Sequence, residues 1–242
     1  LIALTEKEKE EHLALGIGTQ EQFAVIPSGV KTENFDPERA LEAGRAVRRE
    51  FNIPDSAKVI GTVARLVPVK GLEYLLRAFA QLEPGANAYC LIAGDGPDRQ
   101  ALEKLAQECG LAPRVIFAGY RKDVPAVLSA MDIFVQPSLN EGMGRAIVQA
   151  GLMRKPIAAS AVSGIQDLIQ SGQNGILVPP ADPGALAQAL GRLLAEPAWG
   201  ETLGSRARQV FLPRYGEERM VEDIAALYEG VLKSKGIPLN WL

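Results

Sequence analysis

The stretch KVIGTVARLVPVKGLEYLLRAFA, residues 58–80, and the AYCLIAGDGP that follows at 88–97 decide the fold. Lys58 to Ala64 is a short, almost continuously apolar run of strand length. Gly71 opens a segment of helical period running toward Leu82, and Ala88 to Ala93 is a second apolar run. A strand, a helix-length crossover and another strand without polar alternation make up the pattern of a parallel sheet buried on both faces. The same signal repeats outward, with strands predicted at Phe23 to Pro27, Arg114 to Phe117, Ile133 to Gln136, Pro156 to Ala159 and Gly175 to Val178. Pro97 opens a helix ending at Gly110, and Gly144 one ending near Met153. From Pro183 onward the strands cease, and helices are expected at Pro183 to Ala195, Pro197 to Val210 and Glu217 to Lys233. The chain is thus expected to form an α/β fold, a doubly wound parallel sheet of Rossmann-like type.

Leu1 to Ile17 reads as a short strand followed by a charged helix, set off from the main body by Ser28-Gly29 and the polar stretch through Asp36. The chain begins without Met, so a fragment of a longer protein is expected. Its 242 residues are 47% apolar and 23% charged, the profile of an ordinary globular protein rather than a disordered or collagen-like one. A net charge of −3 with no basic run gives no long-range pull on phosphate polymers, so nucleic acid is not an expected partner. No stretch approaches the length of apolar sequence that a membrane span needs. Cys90 and Cys109 offer neither a disulfide framework nor zinc-site spacing, and a reducing cytoplasm is the expected home.

Most signatures of chemistry fail. Val69-Lys70-Gly71 has its lysine on the wrong side of the glycine for a P-loop, and the third glycine of a dinucleotide fingerprint begun at Gly94 and Gly96 falls on Arg99. There is no HExxH, no DxD and no GxSxG, and His12 is the only histidine, so no metal and no cofactor are expected.

Three loops remain, each expected at the carboxyl end of a strand, where open parallel sheets bind ligands. In the first, a strand delivers Arg65 and a helix start delivers Lys70 to one rim; a guanidinium fork, a point charge and free helix-terminal amides suit a diphosphate. Both side chains equally fit the ordinary surface fate of cations. In the second, Gly94-Asp95-Gly96-Pro97, the glycines let a ligand or a facing loop approach the backbone. In the third, Pro137 to Ala146, Glu141 can accept sugar hydroxyls while the amides around Gly142-Met143-Gly144 face a phosphate, although helix capping explains the same residues.

Together these motifs resemble the donor-binding half of a GT-B glycosyltransferase of the large retaining family numbered four, often described as group 1. The resemblance runs through Val25 to Val30 with Phe35, Gly61 to Leu66 with Lys70-Gly71, Ile92 to Pro97, Val115 to Gly119, Pro137-Ser138 with Glu141 to Gly144, and Asn174 to Val178. It implies a C-terminal donor domain facing a missing N-terminal acceptor domain. Residues 1–27 would then be the edge of that other domain or the linker from it, 28–216 the nucleotide-sugar domain, and 217–242 a helix returning toward the missing part. Arg65, Lys70 and Glu141 become the implied catalytic residues. Gly94, Tyr120, Arg121, Gly142, Met143, Gly144, Arg145 and Gln149 complete the donor-binding set, with Tyr120 and Arg121 near the base.

The implied reaction is metal-independent transfer of a sugar from a UDP, GDP or ADP sugar to an acceptor hydroxyl, with retention, the isolated fragment transferring poorly. An acceptor glycan or lipid-linked sugar would come through the missing domain, with peripheral membrane contact open to the full-length protein. Two departures stand out. The family pairs two glutamates with seven residues between them, and the second position here is Gln149, whose neutral amide makes weaker hydrogen bonds than a carboxylate. Ser28 replaces the Asn common at the domain junction. A noncatalytic nucleotide-sugar binding module, or another GT-B enzyme such as an epimerase or phosphorylase, stays open as an alternative.

Overall fold

The apolar runs do become strands of one parallel sheet. The computed structural model describes residues 1–83 and 87–237, so residues 238–242 of the expected C-terminal segment lie outside it. The chain opens with β1 (Ile2–Ala3) and α1 (Glu6–Ala14), the helix started by Thr5, whose side chain accepts from the Glu8 amide. Next come β2 (Ala24–Val25) and α2 (Leu41–Glu50). The central units are β3 (Lys58–Val63), α3 (Leu72–Ala80), β4 (Ala88–Ala93), α4 (Arg99–Glu108), β5 (Val115–Gly119) and α5 (Val124–Ala130). They are followed by β6 (Ile133–Gln136), α6 (Arg145–Leu152), β7 (Ile157–Ser160), the short α7 (Ile165–Leu168) and β8 (Ile176–Val178). The chain closes with α8 (Pro183–Ala195), α9 (Pro197–Phe211) and α10 (Glu217–Ser234).

Six strands, β3 to β8, form a parallel sheet in the order β5-β4-β3-β6-β7-β8. The order grows outward from β3 in one direction, then returns to β3's other side at β6, which makes the β3/β6 boundary the topological switch point. Successive strand residues face opposite layers. Val59, Leu91, Phe134 and Ile157 join one core with Val47, Val127, Ile147 and Phe211, while Ile60, Cys90, Ile92, Val135 and Ala158 join another with Leu75, Phe79, Leu102 and Leu190. The sheet is therefore covered by α2, α5, α6 and α9 on one side and by α3, α4 and α8 on the other. Each fully buried Leu, Ile or Phe contributes about 1.5–3 kcal/mol, which explains why the strands lack alternation.

One expectation is corrected, and two helices arise where none was expected. The strand expected at Phe23 to Pro27 shrinks to Ala24–Val25 and lies outside the main sheet, paired with Ile2–Ala3. Helix α2 lies beyond the polar stretch through Asp36, where no element was expected; only Gly44 and Val47 of its ten residues are buried and it is held by packing against α5. Helix α5 is a seven-residue apolar run opened by Pro125, too short for periodicity to separate from a strand.

Candidate functional site

The carboxyl ends of β3 and β6 open into a cavity of about 410 Å³ lined by Val63, Ala64, Arg65, Lys70, Gln136 and the Glu141-to-Ala146 loop, with Leu4 and Ser28 from the N-terminal segment. It sits at the switch point, where neighbouring connections leave in opposite directions and so part. Arg65, exposed on the rim, leaves the strand after Val63. Lys70 ends the single 3-10 turn Pro68–Lys70 and is brought over by contact between the two loops, Leu139 N–H donating to the Val69 carbonyl at 2.8 Å. That contact needs Gly71: its φ is 61°, and a Cβ there would stand 2.1 Å from the Pro137 carbonyl oxygen.

Inside the cavity Lys70 Nζ donates to Glu141 Oε2 at 2.5 Å, both side chains being mostly buried. The same oxygen accepts from Ser138 Oγ at 3.1 Å and from Gln136 Nε2 at 3.3 Å, and Gln136 Nε2 donates to Ser138 Oγ at 2.7 Å. Gln136 and Ser138 are 2% and 0% exposed. The Arg65 guanidinium has no hydrogen-bonding or ion-pair partner among the described residues, whereas Arg145 leans on the Gly29 carbonyl at 3.4 Å. Three cations thus surround one carboxylate, a balance that favours an anionic ligand.

The glycine loop is held from two sides. Gly164 N–H donates to the Glu141 carbonyl at 3.1 Å, and Thr5 Oγ1 donates to the Gly142 carbonyl at 3.3 Å. Met143 turns its side chain inward, 3% exposed, so that its sulfur accepts from Ser28 N–H. Its backbone stays at the cavity with that of Gly142 and Gly144, and α6 begins there on Gly144 in the left-handed region. Of the two helix starts expected near a diphosphate, this one lines the cavity; the start of α3 faces a separate depression between α3 and α4.

The structure therefore brings Arg65, Lys70, Glu141, Gly142, Met143, Gly144 and Arg145 together. Gly94 serves the facing loop: with φ 138°, its Cβ would lie 1.8 Å from the Ala64 carbonyl oxygen, and it steadies the turn carrying Arg65. Tyr120 is 74% exposed and outside the cavity. Arg121 is committed elsewhere, donating to Glu50 at 2.6 Å and Asp123 at 2.7 Å beside the Phe51 ring. Those carboxylates raise its pKa further above the usual range, Asp123 contributing most, and Arg121 in turn holds the Asp123 carboxyl below its usual value. Gln149 lies one turn down α6 from Arg145, half-buried and outside the cavity lining. Sequence reading assigned no part to Gln136, although an apolar strand that ends in a buried amide is itself a signal.

A family model described as glycosyl transferases group 1 matches residues 45–210. The D-inositol 3-phosphate glycosyltransferase of Corynebacterium urealyticum is 35% identical over 87% of this chain and 51% of its own. HepE of Anabaena, solved in complex with UDP-glucose, superposes with a TM-score of 0.87 at 26% identity, covering 95% of this chain and 63% of that one. The C-terminal domain of the group 1 family protein LpcC from Francisella tularensis shares the fold, with a TM-score of 0.69 at 23% identity over 78% of this chain and 100% of that one. The chain spans about half to three fifths of the length of the curated relatives it matches, 61%, 50% and 49% for three of them.

Proposed function

The chain belongs to the group 1 glycosyl transferase family, and from that premise we propose that it is the donor-binding half of a metal-independent, retaining GT-B glycosyltransferase of family four. The observation that carries this reading is the single cavity at the switch point that gathers Arg65, Lys70, Glu141 and the start of α6. Arg65 and Lys70 bind the diphosphate of a nucleotide sugar, Arg65 by a forked contact and Lys70 as a point charge. The amides of Gly144 to Ala146 add donors at a positive helix end. Glu141 accepts hydroxyls of the sugar.

Cleavage of the sugar–phosphate bond passes through an oxocarbenium-like state with negative charge growing on the departing diphosphate. The two cations lower that barrier by stabilising the charge where it develops, the part a metal would otherwise play. The catalytic set is Arg65, Lys70 and Glu141. UDP is the favoured nucleotide, since HepE was solved with UDP-glucose.

The same reading assigns residues 28–216 to the donor domain. Strands β1 and β2 then belong to the sheet of an acceptor domain, and α10 returns to it. This is supported by the separation of β1–β2 from the main sheet and by the exposure of α10, which buries none of its residues and leaves Val221 59% and Tyr228 61% exposed. The acceptor, a glycan or a lipid-linked sugar, comes from that second domain, so this chain alone binds donor and transfers poorly.

Titration calorimetry with UDP, GDP and ADP tests the reading. Binding of one of them with a micromolar to millimolar Kd, weakened about tenfold or more by Arg65→Ala and by Lys70→Ala, is expected. Unchanged affinity in both variants removes the diphosphate site.

A further inference from the structure

The Glu141 carboxylate has more partners than the proposed donor site requires, and two of them belong to no binding role. Glu141 Oε2 is shared by Lys70, Ser138 and Gln136. Lys70 is also the cation that a diphosphate attracts. A diphosphate carries at least two negative charges against the single charge of Glu141, and a lysine stem is flexible enough to follow. Once Lys70 turns away, a largely buried carboxylate needs other donors to stay ionised and fixed.

Gln136 and Ser138 supply them from the carboxyl end of β6, a strand buried along its whole length. The amide orientation of Gln136 is informative. Its Nε2 donates to Ser138 and Glu141, while its buried Oε1 has no partner among the described residues. An orphaned buried acceptor is costly, and turning the amide over would set that oxygen against the carboxylate. The orientation is therefore dictated by Glu141. Ser138, receiving from Gln136, is left to donate its own proton to the same carboxylate oxygen.

We infer that Gln136 and Ser138 are positioning residues for the donor sugar, holding Glu141 in place when the diphosphate draws Lys70 away from it. The inference rests on the donor-site reading above. In the structure Lys70 and Glu141 neutralise each other, and ligand binding separates them into a diphosphate contact and a sugar contact.

The test is calorimetry of the chain with UDP and with UDP-glucose, read as the ratio of the two Kd values. In Ser138→Ala the affinity for UDP-glucose falls about five- to tenfold while that for UDP stays within about twofold, and Ser138→Thr, which keeps the hydroxyl, restores the ratio. Gln136→Met moves the ratio in the same direction. Glu141→Gln changes the two ligands oppositely: UDP binds about two- to fivefold tighter because Lys70 is released, while UDP-glucose loses at least as much.

Equal losses for both ligands in Ser138→Ala, or weaker UDP binding in Glu141→Gln, would mean a merely structural network and overturn the inference. If Gln136→Met does not fold by circular dichroism, the Ser138 and Glu141 variants decide alone. Failure of the unaltered chain to bind either ligand overturns the donor-site reading and the inference with it. Lys70-dependent UDP binding with an unmoved ratio overturns the inference alone.

Discussion

The ion pairs Arg48–Asp132 and Lys70–Glu141 lie at opposite ends of the sheet beside β3 and β6, and they are built on opposite principles. At the amino end Arg48 Nη2 meets Asp132 at 2.7 Å, and both are tied to backbone. Arg48 donates to the carbonyls of Ala130 and Ala57, and Asp132 accepts from Val59 N–H at 2.7 Å. Lys155 nearby donates to the Ser129 and Met131 carbonyls. At the carboxyl end Lys70 and Glu141 have side-chain partners only among the described residues. Among the described residues, the buried side-chain atoms without a partner, Thr62 Oγ1 and Gln136 Oε1, also sit near the carboxyl ends of β3 and β6. Charges whose lone pairs and protons are used by the backbone hold a fold together; charges whose partners are all side chains can exchange one of them for a ligand.

The comparison breaks most readily at the amino end. Arg48→Met strands Asp132 and two carbonyls, and a loss of about 2–4 kcal/mol in urea unfolding is expected; a loss below about 1 kcal/mol would show that this pair is no more structural than its counterpart. Lys155 sharpens the contrast through pH. Burial lowers its pKa from 10.5 to about 8, so between those values the unfolded chain holds the extra proton and stability rises with pH. Measured against Lys155→Met, that rise should amount to about 1–3 kcal/mol from pH 8 to 10.5, and a flat difference would sink it.

Gly71→Ala probes the loop that sets Lys70 in place. Left-handed strain and collision with the Pro137 carbonyl should cost about 1–2 kcal/mol and weaken UDP binding together. Lys70→Ala should instead separate the two properties, lowering UDP affinity about tenfold while shifting stability by less than about 1 kcal/mol. A stability loss matching that of Arg48→Met would erase the distinction between the two ends. The smallest effect is expected from Gln149→Glu: lying outside the cavity lining, it should leave donor affinity within about twofold, checked by the same titration.

Much of the architecture was legible. The apolar runs from Lys58 to Val178 gave the strands of the main sheet, and Arg65, Lys70 and Glu141 were placed on adjoining loops because strand ends at a switch point converge. Helix α2 was not picked out, since its buried face is only Gly44 and Val47, and it is held by packing against α5. The base-site expectation for Arg121 rested on its place after β5; nothing local in the sequence announced Glu50, brought from 71 positions away, as its partner. Gln149 was placed by spacing alone, and spacing does not report that the cavity ends at the first turn of α6.

By itself the sequence determined the two-sided burial of the sheet and which loops carry charge, because hydrophobic period and glycine position act over a few neighbouring residues. Only the tertiary structure decided that Lys70 rests on Glu141, that Gln136 and Ser138 share that carboxylate, and that Arg121 is already spoken for. Those are choices of partner between distant segments, set by distances of a few ångströms that emerge once the packing of loop against loop is fixed.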